Sequence, residues 1–483
     1  MYIGIDLGTS GVKVIILDDG DKILASETEP LTVQRPYELW SEQEPKQWWL
    51  ATCAAMDKLA KQLDLSKVAA IGLSGQMHGA TLLDEHHRVL RPAILWNDGR
   101  CFEECLELEE LVPNSRQITG NLMMPGFTAP KLKWVQKHEP EIFAQVAKVL
   151  LPKDYLRYQL SGDFASEMSD AAGTMWLDVA KRDWNDGLLK ATDLTREQMP
   201  KLYEGSEITG TLLPDLAQRW GMDCVPLIAG GGDNAAGAVG VGITQPGQAM
   251  LSLGTSGVYF AVSDGFLANP ESALHSFCHA LPKTWHTMSV ILSAASCLDW
   301  VAKLTHQPDV GTMLDEVESD ASPSSKLVFL PYLSGERTPH NDPKAKGVFF
   351  GLSHETSRAD IAQAVLEGVG FALADGLDAV HHTGMVPEEI SLIGGGARSS
   401  YWRQMLADIF DHRLVYRSGG EVGPALGAAR LARLAIAEGA TLADVCPEPE
   451  LVAIHEPNPQ RTQALAEKRA TYKNLYMSLK DLF

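Results

Sequence analysis

Tyr2-Ile3-Gly4-Ile5-Asp6-Leu7-Gly8-Thr9-Ser10-Gly11-Val12-Lys13-Val14-Ile15-Ile16-Leu17 opens the chain as two β-branched runs joined by a turn of glycines and small hydroxyls, which predicts a hairpin. Its tip gathers a carboxylate (Asp6), uncrowded backbone N–H groups around Gly8, two hydroxyls (Thr9, Ser10) and a cation (Lys13). That combination suits the phosphates of MgATP: an N–H nest takes the anion while the carboxylate faces the metal. An ordinary tight turn with an exposed Asp would carry similar residues. A second copy argues for the chemical reading. Leu253-Gly254-Thr255-Ser256-Gly257 repeats Leu7-Gly8-Thr9-Ser10-Gly11 half a chain later, again between apolar strands. Two similar domains explain the echo. Ser252 stands where Asp6 would, and Tyr259 where Lys13 would, so one loop carries the charges and the other only donors.

At 483 residues the chain is too long for one hydrophobic core and suits two domains with a cleft between them. A net charge of −21 argues against a nucleic-acid surface or an anionic membrane, without excluding a local site for a nucleotide. Seven scattered cysteines with no Cys-x-x-Cys pair fit a reducing compartment. The first strand starts at Tyr2, leaving no room for a signal peptide, and the uncharged run from Asn234 to Ser263 is interrupted by glycines and Pro246. A cytoplasmic protein with no membrane partner is the expectation.

Further along, Glu44-Pro45 opens a helix whose Trp49, Cys53, Met56, Ala60 and Leu63 share a face. The strand Val68 to Leu73 ends in Ser74-Gly75-Gln76-Met77-His78-Gly79, the kind of strand end where α/β sheets place ligands. Gln76 offers an amide donor and acceptor and His78 an imidazole, together suited to a polyhydroxylated substrate. Asn97, Asp98 and Arg100 form either a support for that site or a satisfied turn. The strand Pro226 to Ala229 runs into Gly230-Gly231-Gly232-Asp233-Asn234. Glycines there admit close approach, and the isolated Asp233 can accept a substrate hydroxyl proton or cap the helix that follows. A long helix from about Ser357 to His382 is capped by Ser357 with Asp360. Ile390 to Ile393 then leads into Gly394-Gly395-Gly396 and Ser400, repeating the design of the first domain with room for an adenosine. The small residues of 421–430 are a wall of the same pocket or a close helix contact. Neither Gly-x-x-x-x-Gly-Lys-Ser/Thr nor Gly-x-Gly-x-x-Gly occurs.

The ordered set resembles the FGGY carbohydrate kinases, in the fold group of actin, hexokinase and the heat-shock ATPases. It comprises Asp6 to Lys13, Gly126 to His138, Gly231 to Asn234, Gly254-Thr255, Gly347 to Glu367 and Gly394 to Gly396. The resemblance covers nearly the whole chain. Gly75-Gln76-Met77-His78-Gly79 looks like the substrate loop of the family's xylulose-phosphorylating branch; glycerol kinases carry arginine and glutamate at Met77 and His78. The resemblance implies an α/β fold of two ribonuclease-H-like (actin/hexokinase-like) domains flanking a deep cleft. It divides the chain into a sugar-binding and phosphate-loop domain, 1–244, and a nucleotide-binding domain, 245–483. It implies MgATP-dependent phosphorylation of D-xylulose, with Asp233 as catalytic base and Asp6 at the metal and phosphates. The sugar would meet Gln76, Met77, His78, Asp233 and Asn234. ATP would meet Gly8, Thr9, Ser10, Lys13, Gly254, Thr255, Gly395, Gly396 and Ser400. Sugar and ATP are the expected partners, with no nucleic acid and a homodimer left open. The alternatives are a kinase for another ketose or polyol such as ribulose, or a non-catalytic actin-fold sugar sensor.

Overall fold

Alternating β-branched side chains bury the opening hairpin, with Ile3, Ile5, Val12, Val14 and Ile16 all withdrawn from solvent. β1 (Tyr2–Leu7) pairs antiparallel with β2 (Gly11–Leu17), placing Asp6 opposite Lys13. The computed structural model describes every residue except 323–324 and 419–422, and in it this hairpin forms the middle of a six-stranded sheet. The other strands are β3 (Ile23–Pro30), β4 (Ala70–Gly75), β5 (Ile208–Thr211) and β6 (Pro226–Gly232), in the order β5-β6-β4-β1-β2-β3. β1, β4 and β6 are mutually parallel, with Asp6 beside Ser74 and Gly232 beside Gly75. Their carboxyl ends therefore bring Asp6, the Gln76 loop and Asp233 to one edge of one sheet.

The second half repeats that plan. β7 (Ala249–Leu253), β8 (Gly257–Ser263), β9 (His275–Cys278), β10 (Trp285–Ile291), β11 (Ile390–Ile393), β12 (Leu414–Arg417) and β13 (Leu451–His455) are ordered β9-β10-β8-β7-β11-β12-β13. β7 and β8 form the echo hairpin, β10 extends it antiparallel as β3 does, and β11 and β12 lie parallel to β7 as β4 and β6 do to β1. Antiparallel β13 closes the sheet as β5 does, and β9 is the added strand. The repeated pentapeptide thus marks a repeated sheet.

Helices lock the two halves together. α1 (Pro45–Gln62) forms where Pro45 was expected to start it. Its buried stripe runs through Trp48, Thr52, Met56 and Leu59 rather than through Trp49, because Trp48 alone finds a partner for its indole N–H, Gln43 Oε1 at 2.9 Å. α2 (Asp233–Gly240) follows β6 directly. α3 (Arg358–His381) carries the expected reciprocal cap, in which Ser357 and Asp360 each bond the other's backbone N–H. α4 (Ser400–Phe410) follows the triple glycine. α5 (Gly423–Ile436) leaves its own half and packs across β1 and β4 of the first sheet and against α2. A Cβ on Gly4 would stand 1.9 Å from the Ala425 carbonyl oxygen, and one on Gly427 would stand 1.7 Å from that of Ala236. Of the two uses foreseen for the small residues of 421–430, the described ones serve close helix packing; Glu421 and Val422 lie outside the described residues. Beneath this contact an apolar cluster joins Met77 and Phe127 to Phe260, Phe277 and Met288 across the halves. Among the described residues no helix is long and apolar enough to cross a membrane.

Candidate functional site

Asp233 is the first residue of α2, and Gly232 occupies the cap position, so the carboxylate is not the helix cap that the sequence allowed. Its Oδ1 accepts from the backbone and side-chain nitrogens of Asn234, at 2.8 and 3.0 Å. Burial pushes its pKa up to about 6, against the pull of those two donors. The turn before it is pinned by the Gly232 N–H, which donates to Ser169 Oγ at 3.0 Å. Ser169 in turn bonds Glu167, and Glu167 belongs to a fully buried cluster in which Lys153 faces Asp154, Glu167 and Asp170 at 2.7 to 3.4 Å. A base so placed is held rigidly and is mostly ionised at neutrality, yet basic enough to take a proton.

Asp6 sits on the neighbouring strand end. Burial, and after it the negative charge of Asp233, push its pKa up to about 7, while Lys13 opposes the shift. Its Oδ1 is buried with no hydrogen-bond partner. Two crowded carboxylates with an unsatisfied oxygen suit a divalent cation. Among the described residues no group of three or more His, Cys, Asp or Glu forms a cage made of protein alone. Magnesium is commonly held by one or two carboxylates plus phosphate oxygens, so these residues fit it.

A cavity of about 210 Å³ opens beside Asp233, lined by Met77, His78, Trp96, Phe127 and Asn234 from the first half and by Ser256, His275 and Arg337 from the second. Its size is that of a small-ligand site, below the about 300–1,000 Å³ typical of drug-sized pockets. His78 adopts a left-handed backbone, φ 67°, and its Nδ1–H donates to the Gly173 carbonyl at 2.8 Å, leaving Nε2 as an acceptor. Burial, aided by the Lys131 ammonium, holds it neutral with a pKa of about 3. Lys131 itself is a strut, bonding the His78 and Gly126 carbonyls.

Four of the expected sugar residues, Met77, His78, Asp233 and Asn234, thus share one cavity. Gln76 is elsewhere: it is buried beneath the hairpin, with Oε1 accepting from Thr9 and Nε2 donating to Gln43 at 3.0 Å. One donor and one acceptor position of its amide are thus engaged within the first half, away from the cavity lining. Thr9 is likewise engaged, receiving the Trp96 indole N–H at 3.0 Å. The Gly8 and Gly254 N–H groups close their own turns on Gly11 and Ser256. Ser10 is exposed at the first tip, close to the half-buried Lys13. Thr255, Gly395 and Gly396 cluster at the strand ends of the second sheet, where Ile393 lies beside Ser252. Open space surrounds Gly395, whereas a Cβ on Gly396 would strike the Trp402 ring. Ser400 is exposed at the start of α4, which Ser399 caps. Asp98 and Arg100 resolve as a satisfied turn, with Arg100 also bonding buried Glu42 at 2.8 Å. His275 escaped the sequence reading; Arg337 stands in the polar turn that follows the apolar run Leu327 to Leu330, which the sequence shows without marking it as part of a site. Phe127 stood in the segment Gly126 to His138 already noted, and Trp96 directly precedes the Asn97-Asp98 cluster.

Two topologically matched sheets, with strand ends converging on half-buried carboxylates and a small cavity between them, form the two-domain fold of the actin and hexokinase group. Residues 1–240 match the N-terminal domain, and residues 249–436 the C-terminal domain, of the FGGY family of carbohydrate kinases. The chain is 64% identical over 482 residues to a xylulose kinase of Escherichia coli (strain K12), with all of both chains covered. It superposes on the crystal structure of a xyloylose kinase from Brucella ovis with a TM-score of 0.95 and 47% identity over all of both chains. A gluconate kinase from Lactobacillus acidophilus is similar at a TM-score of 0.93 and 26% identity, covering 99% of this chain and 98% of that one. The chain belongs to the FGGY family of carbohydrate kinases, and is a sugar phosphotransferase. One backbone serves relatives named for different sugars, so the cavity's side chains must choose among them.

Proposed function

We propose that the protein transfers the γ-phosphoryl group of ATP to the C5 hydroxyl of D-xylulose, releasing D-xylulose 5-phosphate and ADP. The observation that carries this reading is the full-length 64% identity to a xylulose kinase, in a chain that keeps Met77, His78, Asp233 and Asn234 on one cavity. In this proposal residues 1–244 bind the sugar and 245–483 the nucleotide. Asp233 accepts the C5 hydroxyl proton as that oxygen attacks, and Asn234 holds the carboxylate in place. His78 Nε2 and the aromatic wall orient the sugar, and closure of the two halves over the cavity would keep water, a competing acceptor, away. ATP lies between the two hairpin tips, with Ser10 and Lys13 on one side and Thr255, Gly395 and Ser400 on the other. Asp6 would hold the Mg²⁺ that accompanies ATP, and that ion supplies charge neutralisation on the phosphates. Phosphoryl transfer asks mainly for alignment, which this frame provides.

An ADP-release assay across D-xylulose, D-ribulose, glycerol and D-gluconate tests the reading. D-Xylulose should give the highest kcat/KM. A tenfold preference for another sugar, or ADP release indifferent to sugar, would overturn it.

A further inference from the structure

The lining of the sugar cavity contains one cation, Arg337, and it comes from the second half. The backbone on either side of it is fixed to the second sheet. Glu336 Oε1 accepts from the Leu292 N–H at 2.9 Å and from the Arg337 N–H at 2.7 Å. Thr338 exchanges bonds with Val290, at 3.0 and 3.1 Å, and its hydroxyl donates to the Ala273 carbonyl at 3.2 Å. The guanidinium carried by this fixed segment makes no hydrogen bond or ion pair with any described residue. Its nitrogens are not among the buried unpartnered atoms, so they open onto the cavity and are available to something that enters it.

The other polar groups narrow what that is. Asp233 and His78 Nε2 are acceptors, suited to sugar hydroxyls that donate. The Trp96 indole N–H is taken by Thr9 and one Asn234 Nδ2–H by Asp233; the other Asn234 N–H and the Ser256 hydroxyl are neutral donors, which leaves Arg337 as the charged donor of the lining. A carbonyl oxygen can only accept, and Arg337 can only donate. Arg337 enters the cavity from the second half of the chain and Asp233 from the first, so the two face it from opposite sides. In an open-chain 2-ketopentose the phosphorylated C5 hydroxyl and the C2 carbonyl are likewise toward opposite ends.

We propose that Arg337 donates to the C2 carbonyl oxygen of the bound ketose and so sets the preference for ketoses over the corresponding polyols. This rests on the sugar-kinase reading given above. It also makes the substrate a bridge: its hydroxyl end engages Asp233 in the first half and its carbonyl end Arg337 in the second.

Arg337→Met and Arg337→Lys decide the matter, assayed with D-xylulose and with xylitol and D-arabitol, which replace the carbonyl by a hydroxyl of either configuration. The polyols are measured as substrates or as competitive inhibitors. Arg337→Met should lower kcat/KM for D-xylulose by about 10- to 100-fold, the range for losing a charge-assisted hydrogen bond. The polyol constants should move by less than about threefold, and lysine should restore part of the ketose preference. Equal losses on ketose and polyols, or an unchanged ratio in both variants, would overturn the proposal. A circular dichroism melt of each variant verifies folding, and the lysine variant carries the test if the methionine one does not fold. A wild-type enzyme that fails to phosphorylate D-xylulose would overturn the function reading instead, and this inference with it.

Discussion

Asp233 and Asp6 illustrate what single residues gain from their setting. Both carboxylates are raised by burial, to about 6 and about 7, in a site that must carry negative charge to work. As the base, Asp233 must be ionised, so kcat/KM should fall below an apparent pKa near 6; a profile flat down to pH 5 would contradict the assignment. Asp233→Asn should reduce kcat by at least ~10²-fold with the fold intact, measured by steady-state kinetics alongside circular dichroism. Asp6 gives the opposite kind of test. Its folded-state pKa lies above the unfolded value, so the folded state holds its proton more tightly and loses stability as pH rises from about 4 through 7. Asp6→Asn removes that cost. In the absence of metal the variant should melt above wild type at pH 8, and the gap should shrink toward pH 5, as read by thermal unfolding. Activity should be lost at both pH values.

At the scale of elements, α5 is the least expected feature. It follows β12 of the second sheet yet packs against β1 and β4 of the first, with Gly4, Gly72 and Gly427 permitting backbone contact. Gly427→Ala sets two effects against each other. Alanine favours a helix over glycine by about 1 kcal/mol, whereas forcing a methyl group into a packed contact costs about 1–3 kcal/mol. With the Ala236 oxygen only 1.7 Å from the new Cβ, the upper end of that cost applies. A net loss of roughly 1–2 kcal/mol in denaturant unfolding is expected, and a stabilised variant would show that α5 is free to shift.

The whole molecule is two copies of one sheet plan whose ties include α5 on the first sheet, the shared apolar cluster, and the cavity lined from both sides. Arg430 adds a long-range tie, bonding Asp21 and the carbonyls of Val239 and Gly240. The halves should therefore unfold together. Calorimetry should show a single transition, moved upward by D-xylulose by about 2.7 kcal/mol at a hundredfold excess over its Kd. Two separated transitions, only one of them responsive to the sugar, would mean the halves are independent.

The sequence by itself determined the hairpin and its echo, the cap of α3, and Asp233 on a glycine turn after a strand. Each is written in consecutive residues: β-branched alternation, a Ser-x-x-Asp cap, glycines before an isolated acid. The sequence and its family resemblance also grouped Met77, His78, Asp233 and Asn234 as one expected site, and the four line one cavity because loops at parallel strand ends meet at one sheet edge. The tertiary structure alone decided that Gln76 serves the hairpin rather than the cavity, because its partners Thr9 and Gln43 are 67 and 33 positions away. It likewise decided that Trp48 rather than Trp49 turns inward, where periodicity alone was ambiguous by one residue. Arg337 and His275 reach the cavity from the second half, and α5 crosses to the first sheet. Those placements depend on how two sheets dock, and docking is fixed by contacts between distant segments that no local pattern records.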